Sequence, residues 1–130
     1  MPALAVIVGI ATVYAGPYVG GPLYCARPGH QVRYDQSTTP WVAVDVREYE
    51  SGRIRCGDEL WLRFEDGSEL QALALDAGPF QGYYVAEWGE ERGIVVDVPA
   101  HLAPFPGLSA PVAMVNHSAV VRELEQRVGR

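Results

Sequence analysis

The chain has 130 residues, of which 48% are hydrophobic and 20% are charged, and its formal net charge is −6. This length suits one domain with a core of its own, and the composition is that of a globular protein rather than a disordered one. Acidic residues outnumber basic ones and no run of basic residues occurs, so the chain is not suited to binding the negatively charged phosphates of a nucleic acid. We therefore expect no nucleic acid partner.

The N-terminal stretch, "MPALAVIVGIATVYAG", is largely apolar. It lacks the positively charged start of an export signal, and we interpret it as a first buried strand. No run reaches the ~18 apolar residues that a membrane-spanning helix needs. We therefore expect neither a signal peptide nor a membrane span in this chain, and the sequence leaves its compartment open.

Apolar runs rich in β-branched and aromatic residues recur along the chain and predict strands. We place these strands at 3–14, 41–49, 59–64, 69–76, 93–98 and 111–115. Turn-forming Gly, Pro and Asp separate the runs, and Asp66-Gly67 predicts a tight hairpin between the third and fourth strands. Six short strands in so small a domain favour a closed barrel or a sandwich.

Helix is predicted in two short places. Residues 97–105 suit one helical turn that begins at Pro99, where the missing N–H costs nothing. After the last strand, a helix with Ser118 as its N-cap is expected. The apolar residues of this second helix share one side: Val120, Val121, Leu124 and Val128. We divide the chain into a barrel domain, residues 1–115, and a helical tail, residues 116–130, which packs on the barrel or on a protein partner.

Two cysteines, Cys25 and Cys56, lie in loop-like or strand-edge contexts. They form no CxxC motif and have no histidine at ligand spacing, and the three histidines of the chain share no partner pattern. We therefore predict no metal and no cofactor. From spacing alone, the two cysteines are either one disulfide or two idle thiols.

Two aspartates occupy similar positions, since Asp76 ends the apolar run "QALALD" and Asp97 ends "GIVVD". If their strands are neighbours, both carboxylates crowd one rim of the barrel, where one is kept protonated and serves as a general acid. The alternative is that each aspartate caps the turn that follows it by accepting backbone hydrogen bonds. The pattern by itself favours capping.

Three segments, taken in order, resemble the double-psi β-barrel family that includes rare lipoprotein A, the expansins and the barwin-like proteins. They are "VAVDVREYESGRIRCGDEL" (42–60), "ALDAGPF" (74–80) and "VVDVPAHL" (95–102). The likeness extends over about residues 10–115 of the sequence. It implies an all-β fold, a six-stranded double-psi barrel, with a groove for a polysaccharide such as peptidoglycan across one face.

The resemblance also implies roles for particular residues. Asp97 matches the essential acid of the family, and Asp76 matches its companion in the groove. Thr12 and Tyr14 match groove residues of bacterial expansins. Asp45 stands where the lytic transglycosylases of the family have a histidine, so we count it among the substrate-binding residues.

The same comparison bears on the cysteines and on the reaction. Cys25 and Cys56 match a cysteine pair of eukaryotic members, which implies that they are bonded. Ala77 and Pro99 replace an Arg and a Ser of the family pattern, and the second catalytic aspartate of the related inverting cellulases is absent near Thr12. An inverting hydrolase is therefore not expected, whereas a lytic transglycosylase needs only one acid.

Aromatic side chains supply the remaining binding candidates, because flat rings offer apolar faces to sugar C–H groups. The polar segment 81–93, "QGYYVAEWGEERG", is expected to form a loop over the groove. Its candidates are Tyr83, Tyr84 and Trp88. Trp61 lies between two leucines of a strand and belongs either to the core or to the surface, and the pattern favours the core.

Two functions remain open from the sequence. The first is a glycan-directed barrel, outside the cell or on its wall, with Asp97 as the acid. The second is a non-catalytic module that binds glycan or builds a larger assembly such as a phage tail or a secretion apparatus.

Overall fold

The computed structural model describes residues 6–14, 23–26, 39–78 and 93–129. These ranges contain six strands: β1 (Val6–Tyr14), β2 (Trp41–Asp45), β3 (Glu59–Phe64), β4 (Glu69–Gly78), β5 (Ile94–Pro99) and β6 (Ser109–Asn116). The strands close into a barrel in the order β1-β5-β2-β4-β3-β6. The prediction of an all-β, six-stranded barrel is confirmed.

The pairing has an internal symmetry that the sequence does not display. β1 and β5 pair in parallel, and so do β2 and β4. The other four pairs of neighbouring strands are antiparallel. Exchanging β1 with β4, β2 with β5 and β3 with β6 reproduces every pairing and its direction. The barrel therefore consists of two interlocked three-strand halves, and β2 and β5 meet where the halves cross.

Alternation along the strands sorts their side chains between the barrel interior and its outer face. Val42 and Val44 of β2 and Val96 and Val98 of β5 belong to the main core cluster inside the barrel. Trp41, the neighbour of Val42, points the other way. It joins a second buried cluster on the outer face, formed by Leu23, Cys25, Trp41 and Leu75.

The second predicted strand is shorter than expected, because residues 46–49 belong to a helix, α1 (Val46–Glu50). Asp45 is the N-cap of α1, and its carboxylate accepts a hydrogen bond from the Arg47 backbone N–H at 2.9 Å. Capping of this kind satisfies a backbone donor that the first helical turn leaves unpaired. The strand prediction for residues 46–49 is wrong for this reason.

Two turns were also predicted from the sequence. The hairpin between β3 and β4 is confirmed, and Gly67 adopts the positive φ of +87° that its turn requires. The predicted single helical turn at Pro99 is present, but it does not continue into a helix. Pro99 ends β5, and its carbonyl accepts the N–H groups of Leu102 and Ala103 at 2.9 and 3.1 Å, the second of which is the hydrogen bond of one α-helical turn.

The C-terminal helix, α2 (His117–Val128), follows β6 directly. Its N-cap is Asn116 rather than Ser118, since the Asn116 side chain accepts from the Ala119 N–H at 3.0 Å. The Ser118 hydroxyl instead accepts the N–H of Glu59 at 2.8 Å.

Residues of β3 lie beside α2. The Trp61 ring stacks on His117 at 4.1 Å between centroids, and Trp61 is 41% exposed, so its assignment to the core is wrong. The ring of a partly exposed tryptophan thus covers the first turn of the helix rather than filling the barrel.

Candidate functional site

A β-bulge places Asp97 on the outer face of the barrel. In the β1–β5 pair, Ile10 lies opposite Ile94, but Ala11 lies opposite Val96, so Val95 is an extra residue on β5. Thr12 consequently faces Asp97. The bulge fits because Gly9 has no side chain: a Cβ at Gly9 would lie 2.5 Å from a Val95 methyl carbon.

A second bulge does the same for Asp76. In the β2–β4 pair, Val42 lies opposite Ala74, but Ala43 lies opposite Asp76, so Leu75 is the extra residue on β4. Without the bulge, Asp76 would face Val44, whose side chain points into the core. One additional residue therefore moves the carboxylate from the interior to the outer face.

The two bulges assemble a row of four residues across four adjacent strands: Thr12, Asp97, Ala43 and Asp76. All four side chains share the outer face, and all four residues are buried. Two strand spacings put the Cα atoms of Asp76 and Asp97 about 10 Å apart. Ala43 lies between them in the row and pairs with both aspartates, so the smallest side chain with a Cβ separates the two carboxyl groups.

Asp97 has the electrostatics of a general acid. It is only 9% exposed, and its Oδ1 accepts a hydrogen bond from the Thr12 hydroxyl at 3.0 Å. Burial raises the pKa of Asp97 to about 6. The Thr12 hydroxyl and the Val98 backbone N–H lower this pKa, and the negative charge of Asp76 raises it. A carboxyl group that is half protonated near pH 6 is suited to proton donation close to neutrality.

Asp76 is held by groups from two other segments. The backbone N–H of Tyr24 donates to its Oδ1 at 3.0 Å, and the hydroxyl of Tyr49 donates to its backbone carbonyl at 2.9 Å. The Tyr24 donor lies 52 residues away in sequence, so this contact joins two distant segments of the chain.

Asp45 lies on the same outer face, two residues beyond Ala43 on β2, but its carboxylate is engaged by Arg47. Besides the backbone contact, the guanidinium of Arg47 donates to it at 3.1 and 2.8 Å. These side-chain hydrogen bonds lower the pKa of Asp45 against the opposing effect of burial. The structure thus shows Asp45 capping α1, and its predicted contact with substrate stays a prediction.

The other predicted residues fall into three groups. Cys25 and Cys56 form a disulfide with a Cα–Cα distance of 5.4 Å, which confirms that pairing. Tyr14 ends β1 opposite Pro99, two residues beyond Thr12. The predicted loop aromatics lie outside the described residues: Tyr83, Tyr84 and Trp88.

Tyr49 and Arg47 are neighbours of the site that the sequence pattern did not predict. Both lie in the stretch that was predicted to continue β2. The available signal was Asp45 followed by "VREYE", an N-cap residue before a run of helix-compatible residues.

Comparison with known proteins adds no family. The chain matches no protein-family profile, and no curated protein is significantly similar to it in sequence. Within the described ranges, no group of three or more His, Cys, Asp or Glu side chains is arranged to hold a metal ion. No helix in the described part of the chain is long and apolar enough to cross a bilayer.

Proposed function

We propose that this protein is a glycan-directed barrel of the rare lipoprotein A and expansin type, which acts on peptidoglycan or a related β-linked wall polysaccharide. The observation that carries the proposal is the row in which Asp97, with a pKa raised to about 6, shares an outer face with Asp76. Its further support is the likeness of the three segments around these residues to that family.

The proposed chemistry needs one acid. Protonated Asp97 gives its proton to the glycosidic oxygen as the bond to the anomeric carbon breaks. A hydroxyl of the same sugar attacks that carbon and gives its proton to the Asp97 carboxylate, which restores the acid. The product is an anhydro-sugar, and no water is consumed. The negative charge of Asp76 favours protonated Asp97 before the reaction and the positive charge that develops on the sugar during it.

A non-catalytic role, as a glycan-binding or structural module of a larger assembly, is the second candidate. It is favoured by α2, whose C-terminal half lies outside the barrel with Leu124 55% and Val128 81% exposed. It is also favoured by Asp45, which replaces the family's histidine and pairs with Arg47.

The experiment that tests the proposal is incubation of the protein with purified insoluble peptidoglycan, followed by sedimentation and mass spectrometry of the soluble sugars. We expect the protein to sediment with the wall and to release anhydro-sugar products. Binding without products would exclude the enzyme and leave a glycan-binding module. Absence of both binding and products would favour a structural role in an assembly.

A further inference from the structure

We propose that the Cys25–Cys56 disulfide and Tyr49 are positioning groups for Asp76, so that the carboxylate pair is complete only in the oxidised chain. The inference concerns groups that the proposed reaction does not use directly. Its functional consequence rests on the proposed function, but its structural content does not.

The disulfide lies next to the atom that binds Asp76. A short 3-10 turn, Tyr24–Ala26, carries both the Tyr24 backbone N–H and the disulfide sulfur of Cys25. Cys25 is fully buried, and its Sγ lies 3.5 Å from the carbonyl oxygen of Ala74. The covalent bond therefore fixes the turn one residue from the donor that contacts the carboxylate.

At the other end of the disulfide, the two residues that follow Cys56 are hydrogen-bonded to β4. Gly57, directly after Cys56, donates its N–H to the Ala74 carbonyl at 2.9 Å, and the Ala74 N–H donates to the Asp58 carbonyl at 2.8 Å. Ala74 is the last residue before the bulge that brings Asp76 to the outer face. The disulfide thus ties the 3-10 turn to the part of the barrel that sets the position of Asp76.

Tyr49 holds Asp76 from its backbone side. Its hydroxyl donates to the Asp76 carbonyl at 2.9 Å, and its ring stacks on Tyr24 at 4.9 Å between centroids. Burial is the main reason that the pKa of the Tyr49 hydroxyl is raised, and the charge of Asp76 adds to it, so this group stays a proton donor. Tyr24 therefore holds the carboxylate of Asp76, Tyr49 holds its peptide carbonyl, and the rings of these two tyrosines stack on each other.

The test is a double-mutant cycle with two measurements. The first is amide hydrogen exchange: in Cys25→Ser/Cys56→Ser we expect the Tyr24 amide to lose protection at least about tenfold more than the Leu62 amide, which lies on β3. The second is retention on insoluble peptidoglycan. We expect the serine variant to weaken retention by about tenfold in the native background and less than about twofold in an Asp76→Asn background, because a group that acts through Asp76 is not additive with it.

Val112→Ala is the matched control, since Val112 is a buried core residue of β6 that is paired with β1 and β3. It should lower stability without selective loss of Tyr24 protection. If the serine variant does not fold, Tyr49→Phe serves in its place, because it removes one hydroxyl and leaves the ring and the disulfide intact. The same non-additivity with Asp76→Asn is expected for it.

Unchanged relative protection of Tyr24, or additive losses of retention, would overturn the inference. If the native protein is not retained on peptidoglycan, the proposed function fails, but the exchange measurement still decides whether the disulfide positions the Tyr24 donor.

Discussion

Replacement of Asp97 by Asn should lower the release of anhydro-sugar products by at least about 100-fold, the usual contribution of a general acid. Asn has the shape of Asp and keeps an oxygen that accepts from Thr12, but it has no acidic proton to give. Product release by the native protein should be greatest below pH 6 and fall as the pH rises through about 6, where Asp97 loses its proton. Mass spectrometry of soluble products at several pH values measures both effects.

The same variant should be more stable than the native protein at neutral pH. The pKa of Asp97 is raised from 3.8 in the unfolded chain to about 6 in the folded one, so the folded state binds more protons between these values. The stabilisation that comes from protonated Asp97 is therefore fully present below pH 3.8 and is lost as the pH rises through about 6. This loss lowers the free energy of unfolding by at most about 3 kcal/mol. Asn does not titrate, so the variant lacks this pH-dependent loss of stability.

Urea unfolding at pH 4 and pH 7.5 measures this difference. The stability gained by Asp97→Asn should be small at pH 4 and largest at pH 7.5, while product release is lost. A variant that cleaves peptidoglycan like the native protein would contradict the role of Asp97 as the acid. A variant that is less stable at pH 7.5 would contradict the account of its burial.

Replacement of Arg122 by Ala should give one of the largest losses of stability, about 3 kcal/mol, because it leaves a buried carboxylate without its cation. Arg122 of α2 makes two hydrogen bonds to Asp58 at 2.7 and 3.0 Å, and the Asp58 side chain is only 5% exposed. Burial alone would raise the pKa of Asp58, but hydrogen bonds from Arg122, the Arg55 backbone and Asn116 outweigh burial and lower it.

Arg127→Ala is the matched control in the same helix. Arg127 pairs with Glu123 at 3.1 Å on the exposed side, where such i,i+4 pairs contribute about 0.5 kcal/mol or less. Urea unfolding of the two variants measures the difference. Equal effects would contradict the view that α2 is fastened to the barrel through Asp58.

The strands could be predicted because their information is local. Runs such as 59–64 carry the alternation of a half-buried strand, and "EDGS" contains the glycine that the hairpin requires. The helix α1 was missed because Val46 directly continues the apolar run of β2 and Tyr49 is also a β-forming residue, so the pattern allows either a longer strand or a helix. The hydrogen bond from the Arg47 N–H to the Asp45 side chain favours the helix over a longer strand.

The candidate site was predictable only in part. Asp76 and Asp97 stand out because each is a charge at the end of an apolar run. Their common face depends on extra residues at Leu75 and Val95, and nothing in a single strand marks a bulge whose cause is the register of its partner. The contact of Tyr24 with Asp76 is equally non-local, since it depends on how the chain returns to β4.

The central claim is that burial, together with the charge of Asp76, raises the pKa of Asp97 to about 6. Carbon NMR of aspartate carboxyl groups, followed from pH 2 to pH 9, tests this claim most directly, with exposed Asp66 as an internal reference. Hydrogen bonds from Ser68 lower the pKa of Asp66, so it should titrate below 3.8. The account predicts a midpoint for Asp97 of about 6 in the native protein and a lower midpoint in Asp76→Asn. A native midpoint at or below 3.8, or one that Asp76→Asn leaves unchanged, would contradict it.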